Sequence, residues 1–100
     1  MRYDKLVRDN IPQIIESTGK KATYRILGEI EYKEYLEKKL DEEAAEFHES
    51  KSIEELADLL EVVDALCAVY GAGEVQKKRI EKRLVYGRFD KRICLVEVEE

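Results

Sequence analysis

The sequence has little cysteine, no long apolar run and no excess of positive charge. Its two cysteines, Cys67 and Cys94, stand in no metal-ligand spacing, and Cys67 lies among apolar residues, as a reduced, buried thiol would. No apolar run approaches the length that spans a membrane, and the charged opening MRYDKLVRDN is unlike a signal peptide. We therefore expect a cytoplasmic protein with no membrane partner.

The balance of charge narrows the choice of partner. The formal net charge is −5, so duplex DNA is not expected as a ligand, because its phosphates are bound by clustered lysines and arginines. An acidic protein can still bind nucleotide phosphates when a divalent cation bridges the like charges. Of the 100 residues, 44% are hydrophobic and 41% are charged, which predicts one folded domain over residues 1–100.

Apolar periodicity predicts a mainly all-α fold with short extended segments toward both ends. We expect helices over residues 11–18, 28–48, 52–70 and 74–85. Asp9 and Asn10 are capping residue types, and Pro12 suits the first turn of a helix. Residues 22–27 and the tail from residue 89 have the composition of strands or extended connections.

The two long helices form the centre of the predicted fold. Ser52, with Glu55 three residues later, is a capping box that opens the second of them, and Gly71 and Gly73 are expected to end it. The short ESKS turn predicts an antiparallel hairpin. The predicted core face of the first long helix consists of Tyr32, Tyr35, Leu36, Leu40 and Phe47. The predicted core face of the second consists of Ile53, Leu56, Leu59, Leu60, Val63, Leu66, Cys67 and Tyr70.

Several acids lie where this pattern would place apolar residues. Glu43 and Glu46 project from inside the apolar sector of the first long helix, as does Lys39, while Glu55 and Asp58 lie on the flank of the second apolar stripe. These four carboxylates fall near the same end of the hairpin, where converging charges are costly unless they are compensated. A divalent cation removes that cost, and oxygen ligands without His or Cys favour Mg²⁺ or Mn²⁺ over zinc.

Spacing alone leaves a second interpretation of these acids open. Glu55 is also the acid of the capping box, which is a structural role. The ExxE and ExxD spacings are common in Glu-rich helices, so Glu43 and Glu46 are also consistent with ordinary surface acids of a helix.

Four stretches of the sequence resemble one family. They are YDKLVRDNIPQII at the start, YLEKKLDEEAAEF and ELADLLEVVDAL on the long helices, and GRFDKRICL in the tail. The pairs Glu43-x-x-Glu46 and Glu55-x-x-Asp58 resemble the signature of the MazG superfamily, a group of all-α nucleoside triphosphate pyrophosphohydrolases. The likeness covers nearly the whole chain. Within the superfamily, the chain is similar to a compact MazG-like subgroup predicted to clear non-canonical nucleotides.

The resemblance implies Mg²⁺-dependent hydrolysis of a nucleoside triphosphate to a monophosphate and pyrophosphate. The metal ligands it implies are Glu43, Glu46, Glu55 and Asp58, and Glu61 is the extra ligand that we expect beside them. Of these, Glu46 or Glu55 would accept the proton of the attacking water. The interval between Glu46 and Glu55 is shorter than in many members, which leaves Glu61-x-x-Asp64 open as an alternative pair. The tail also departs from the family, because it reads YGRF where two adjacent glycines are expected.

Basic residues near these acids are candidates for holding the phosphates. The candidate substrate-binding residues are Lys5, Arg8, Asp9, Asn10 and Lys39. For Arg8, Asp9 and Asn10, helix capping and an ion pair are the open alternative. A hairpin this small can hardly bury its apolar stripes and also enclose a nucleotide, so we expect a homodimer or homotetramer that completes a helical bundle.

Two other functions compete with this expectation. The first is phosphoribosyl-ATP pyrophosphohydrolase, which belongs to the same superfamily and uses similar chemistry. The second is a helical interaction module without catalysis, whose acids would bind no cation.

Overall fold

The computed structural model describes residues 3–99 and contains four α-helices. They are α1 (Ile11–Ser17), α2 (Glu29–Ser50), α3 (Ile53–Tyr70) and α4 (Ala72–Tyr86). No strand occurs among the described residues, so the predicted all-α class is confirmed. None of the helices in this part of the chain is both long and apolar enough to cross a membrane. The chain divides into two compact units, Met1–Val69 and Tyr70–Glu100.

The segment before α2 combines one short helix with an irregular connection. Pro12 lies in the first turn of α1, where its missing N–H costs no helical hydrogen bond. Asn10 occupies the N-cap position, but its side chain makes no capping hydrogen bond, so capping does not account for this residue. Residues 22–27 form no strand, and of the two predicted alternatives the structure has the connection.

The turn between α2 and α3 is only two residues long. Lys51 adopts a left-handed conformation with φ 57°, and its N–H donates a hydrogen bond of 2.8 Å to the carbonyl oxygen of Phe47. Ser52 then begins the next helix, because its Oγ accepts a hydrogen bond of 3.2 Å from the N–H of Glu55. This short turn makes α2 and α3 antiparallel neighbours and confirms the predicted hairpin.

The face of α2 that packs in this unit is the predicted one. Leu36 is buried, and the rest of the predicted sector is partly buried. Glu43 lies in the same sector and is the buried charged residue of the described chain, as the helical spacing predicted. The α2 helix therefore carries an acid on its packing face.

The predicted core face of α3 is wrong in most of its residues. Its exposed members are Ile53, Leu56, Leu60, Val63 and Tyr70. The side of α3 that is sheltered instead carries Glu55, Asp58 and Val62, of which Val62 is buried and the two acids are partly buried. The helix is apolar on two sides, and periodicity alone does not identify the side that meets α2.

The second unit contains α4 and the tail. Gly71 precedes α4 with φ 105°, a conformation that an L side chain rarely adopts, and it confirms the predicted end of α3. The prediction that Gly73 lies in this break is wrong, because Gly73 falls in the first turn of α4. Residues 87–99 form no strand, and their apolar side chains are exposed.

Both cysteines are free thiols, which the sequence predicted for Cys67. Cys67 on α3 is only partly buried, so the prediction of a buried thiol is wrong, and Cys94 in the tail is exposed. Cys67 lies on the exposed apolar side of α3 rather than on the side that carries Val62, which explains its partial exposure.

Candidate metal centre

Three carboxylates from the two long helices converge within the first unit. Glu43 comes from α2, and Glu55 and Asp58 come from the first turns of α3. One carboxylate oxygen from each residue lies within 4.8 Å of the other two. Residues three apart on a helix share a face, so Glu55 and Asp58 project together toward the helix that carries Glu43.

The inner oxygens of this acidic cluster lack hydrogen-bond partners. The side chain of Glu43 is only 9% exposed. Its Oε2 and the Oε2 of Glu55 are both buried, and neither accepts a hydrogen bond from any group in the described part of the chain. A buried carboxylate oxygen without a partner is costly, and a cation that binds both atoms would remove the cost.

The hydrogen bonds of the turn show why the carboxylate of Glu55 is available. In a complete capping box, this carboxylate would accept a hydrogen bond from the N–H of Ser52. That N–H instead donates to the Oγ of Ser50 at 3.2 Å, while the backbone N–H of Glu55 donates to the Oγ of Ser52. The capping function is therefore carried by Ser52 and the backbone of Glu55, and the side chain of Glu55 remains free to face Glu43.

The surroundings of Glu43 make its ionised form unfavourable. Burial is the main cause that raises the pKa of Glu43 above its ordinary value, because a charged carboxylate loses its hydration. The neighbouring charge of Glu46 raises the pKa further, the ammonium of Lys39 opposes the rise, and Asp58 adds a smaller increase. A divalent cation would reverse this balance by stabilising the ionised carboxylate.

The donor set fits a hard divalent cation. The three ligand groups are carboxylates, and Mg²⁺ and Mn²⁺ prefer oxygen ligands to the nitrogen and sulfur ligands that select zinc. Oxygens on opposite sides of Mg²⁺ are about 4 Å apart, so separations of up to 4.8 Å require only small side-chain adjustments. The remaining coordination positions would be left to water and substrate, as is usual for Mg²⁺.

Three basic side chains partly neutralise the acids. Lys39 lies 3.5 Å from Oε1 of Glu43 and 3.4 Å from Oε1 of Glu42, and only 17% of its side chain is exposed. Lys5 lies 3.6 Å from the same oxygen of Glu42. Arg8 donates a hydrogen bond of 2.9 Å from Nη2 to Oδ1 of Asp58. The candidate phosphate-binding cations Lys5, Arg8 and Lys39 thus border the acidic cluster.

Two of the predicted metal ligands lie outside this cluster. Glu46 is exposed, so the prediction that it projects from the packing face is wrong, although its charge still acts on Glu43. Glu46 has the same helical phase as the partly buried Lys39, so its exposure depends on which neighbouring side chains cover this part of α2, which helical spacing does not encode. Glu61 is exposed on α3 and does not belong to the three-residue cluster, and Asp64 of the alternative pair is also exposed.

The remaining predicted residues and one further acid complete the site. Asp9 and Asn10 are exposed at the start of α1, next in sequence to Arg8. Glu42, which is not among the predicted site residues, joins Lys5 to Lys39 and is only partly exposed. Its spacing three residues after Lys39 was the available signal, because residues three apart on a helix are neighbours.

Comparisons with known proteins supply no functional name for this arrangement. No protein-family model matches the chain, and no solved structure matches it. A protein of Mycolicibacterium smegmatis (strain ATCC 700084 / mc(2)155), described only as uncharacterised, is 48% identical over 42 residues. That alignment covers 42% of this chain and 43% of the relative, so less than half of either protein is matched.

Proposed function

We propose that the acidic cluster binds Mg²⁺ or Mn²⁺ and that the protein hydrolyses a nucleoside triphosphate to a monophosphate and pyrophosphate. The observation that carries the proposal is the pair of buried, unpartnered oxygens, Oε2 of Glu43 and Oε2 of Glu55, in a group that also includes Asp58. The sequence resemblance to the MazG superfamily supports the reaction type. A non-canonical nucleotide is the proposed substrate class, as in the compact subgroup.

The residues of the cluster divide into two roles. Glu43, Glu55 and Asp58 would hold the cation, which when bound supplies charge compensation for the phosphates and acidifies a bound water. Glu46 is exposed and close enough for its charge to act on Glu43, so it is the first candidate to accept the proton of the attacking water. Glu55 is the second candidate, and Glu61 is a further proposed ligand.

The basic rim of the cluster would bind the phosphate groups. Lys39 is held beside Glu42 and Glu43 by two ion pairs, and its position near the proposed cation suits a triphosphate that bridges both. Lys5 lies beside Glu42 on the same side of the site. Asp9 and Asn10 remain proposed substrate contacts through their place beside Arg8 in the sequence.

The exposed apolar side of α3 supports a homo-oligomer. Leu56, Leu60 and Val63 are 43%, 62% and 39% exposed, and they share one side of the helix. Because these side chains are already partly buried, covering the rest of each between copies would add only about half of the ~1.5–3 kcal/mol expected for full burial of a large apolar side chain. We therefore include a homodimer or homotetramer in the proposal. The cytoplasmic location expected from the charged, cysteine-poor sequence is also part of it.

Two other candidate functions remain to be distinguished by experiment. Phosphoribosyl-ATP pyrophosphohydrolase would use the same carboxylates, so only a substrate panel separates it from a nucleotide house-cleaning enzyme. A non-catalytic helical module is favoured by the exposed apolar side of α3. It predicts neither stabilisation by cations nor release of pyrophosphate.

The decisive experiment measures pyrophosphate release with and without Mg²⁺. The panel should contain canonical triphosphates, oxidised and deaminated triphosphates, and phosphoribosyl-ATP. Release that depends on Mg²⁺ and is lost in Glu55→Gln supports the proposal. Absence of release from every substrate, together with absence of Mg²⁺ binding, would favour the helical module.

A further inference from the structure

An arginine from the start of the chain is bound to one of the cluster carboxylates. Nη2 of Arg8 donates a hydrogen bond of 2.9 Å to Oδ1 of Asp58, which is 50 residues away in sequence. Asp58 also belongs to the group of three proposed ligands. The guanidinium therefore stabilises a carboxylate that the proposed cation requires.

We infer that Arg8 is an exchangeable counter-ion, displaced from Asp58 when a divalent cation binds and then free to hold the anionic substrate. This inference rests on the proposed metal site. It adds an order of binding, in which the cation comes first and prepares the anion site. It also makes Arg8 a direct phosphate contact of the cation-bound site rather than a permanent structural contact.

Exposure and location identify Arg8 as the cation that can leave. The side chains of Arg8 and Asp58 are 58% and 43% exposed, so water and salt compete with their ion pair. Arg8 lies in an irregular stretch before α1; its carbonyl oxygen accepts a hydrogen bond of 3.1 Å from the N–H of Ile11, whereas its side chain extends into solvent. Rotation of its long side chain is therefore enough to break the contact.

The other two basic residues of the rim differ in these respects. Lys39 is largely buried, lies on α2 with its partners Glu42 and Glu43, and contacts both of them. Lys5 pairs with Glu42, which is not one of the three clustered carboxylates. Of these three basic residues, only Arg8 forms a solvent-exposed ion pair with one of the three clustered carboxylates.

Electrostatics gives the exchange a direction. A divalent cation beside Asp58 attracts the carboxylate more strongly than a guanidinium does, and it repels the guanidinium at short range. Once released, the planar guanidinium offers paired N–H donors that match the oxygens of a phosphate group. A triphosphate or pyrophosphate bound to the cation would lie next to Asp58 and so within reach of the released guanidinium.

The first test measures binding of Mg²⁺ alone by calorimetry. Arg8→Ala should bind Mg²⁺ about two- to fivefold more tightly than wild type, because the competing exposed ion pair is gone. Arg25→Ala is the matched control, since Arg25 forms an exposed ion pair with Glu31 at 2.8 Å and its loss changes the net charge equally. The control should leave the Mg²⁺ affinity within twofold of wild type.

The second test measures binding of inorganic pyrophosphate in the presence of saturating Mg²⁺. Arg8→Ala should then bind pyrophosphate about tenfold more weakly than wild type, and Arg8→Lys should fall between them. Without Mg²⁺, wild type and Arg8→Ala should bind pyrophosphate equally, because Arg8 is still engaged by Asp58. Loss of Arg8 should therefore strengthen Mg²⁺ binding and weaken pyrophosphate binding. A purely structural role of Arg8 would not change the two affinities in opposite directions.

Each contrary outcome has a separate meaning. If wild type binds Mg²⁺ but Arg8→Ala binds it equally or more weakly, Arg8 does not compete and the exchange is refuted, while the metal site stands. Equal pyrophosphate affinities in Mg²⁺ would refute the second role of Arg8. If wild type binds no divalent cation, the proposed metal site is itself wrong, and the exchange is refuted with it.

Discussion

At the scale of single residues, Glu43 is the clearest case of an acid placed where packing would favour an apolar side chain. Its side chain is 9% exposed, and one of its oxygens has no partner in the described part of the chain. Such a residue weakens the metal-free fold, because ionisation is opposed by burial and by Glu46. Retaining it makes physical sense when a cation balances its charge.

The first prediction concerns Glu43→Gln. The variant keeps the shape and removes the buried charge, so its metal-free form should have a free energy of unfolding at least as large as that of wild type. Its Mg²⁺-dependent turnover should fall by about a hundredfold or more, because a proposed ligand is lost. Glu34→Gln, at an exposed position on α2, should change neither quantity appreciably.

Denaturant midpoints at several pH values test whether the buried charge of Glu43 is what weakens the metal-free fold. The pKa of Glu43 is raised from its ordinary value of 4.5, so ionisation costs more in the folded than in the unfolded chain. In the presence of a chelator, the free energy of unfolding of wild type should fall relative to that of the variant as the pH rises from 4.5 to the raised pKa, and the difference should then level off. Below 4.5 the two should converge, and a difference that stays constant with pH would contradict the assignment.

A second prediction at this scale concerns Asp58→Asn. A cation that binds only the folded state stabilises it by mass action, by about 2.7 kcal/mol at a hundredfold excess over Kd. Asp58→Asn should remove most of the rise in Tm on addition of Mg²⁺, since an amide is a poor substitute for a ligand carboxylate. Glu37→Gln, an exposed acid on the same hairpin, should keep the full rise. Equal responses of the two variants would exclude the proposed site.

At the scale of elements, the two-residue turn determines which acids meet. Lys51 ends α2 in the left-handed conformation and Ser52 caps α3, so the last turns of α2 lie beside the first turns of α3. Without this tight connection, Glu43 and Glu55 would not be held within the same 4.8 Å group. The turn is therefore part of the site, although neither of its residues is a proposed ligand.

A third prediction tests the turn. Lys51 has φ 57°, which costs a residue with a Cβ about 1–2 kcal/mol, whereas glycine adopts it freely but loses more chain entropy on folding. Lys51→Gly should therefore raise the free energy of unfolding by about 0.5 kcal/mol, measured by denaturant titration. Lys38→Gly, within α2, should lower it by about 1 kcal/mol. Destabilisation by Lys51→Gly would show that this turn conformation is not the one present in solution.

At the scale of the whole molecule, the apolar surface of the described chain is the feature that calls for explanation. Leu36 and Val62 are its buried hydrophobic residues, whereas α3 exposes a row of large apolar side chains. Contiguous apolar surface of this kind typically marks an interaction site. A second copy of the chain is the partner that our proposal assigns to this surface.

The fourth prediction addresses this surface. Leu60 is 62% exposed, and Leu60→Glu would place a charge in the proposed interface. Wild type should have a molar mass by light scattering of two or four times 11.7 kDa, and Leu60→Glu should shift it toward the single chain. Ala45→Glu, an apolar-to-Glu change at an exposed position on α2, should leave the mass unchanged. A wild-type mass equal to one chain would contradict the oligomer.

The predictability of the site follows from the difference between local and long-range information. Helical spacing was enough to place Glu43 inside the packing face and to pair Glu55 with Asp58. It did not predict the exposure of Glu46, because that depends on which side chains from elsewhere in the chain cover this part of α2. The salt bridge of Arg8 with Asp58 joins residues 50 apart, and no local pattern encodes such a contact.

The sequence by itself determined the four helices, the hairpin and the acidic character of the residues at its end, because capping residues and apolar periodicity act over a few neighbouring positions. Only the tertiary structure decided which side of α3 faces α2, since that helix is apolar on two sides and both satisfy the same period. The choice sheltered Glu55 and Asp58 beside Glu43 and left Leu60 exposed. Packing between helices is settled by contacts distant in sequence, and here those contacts brought the three carboxylates together.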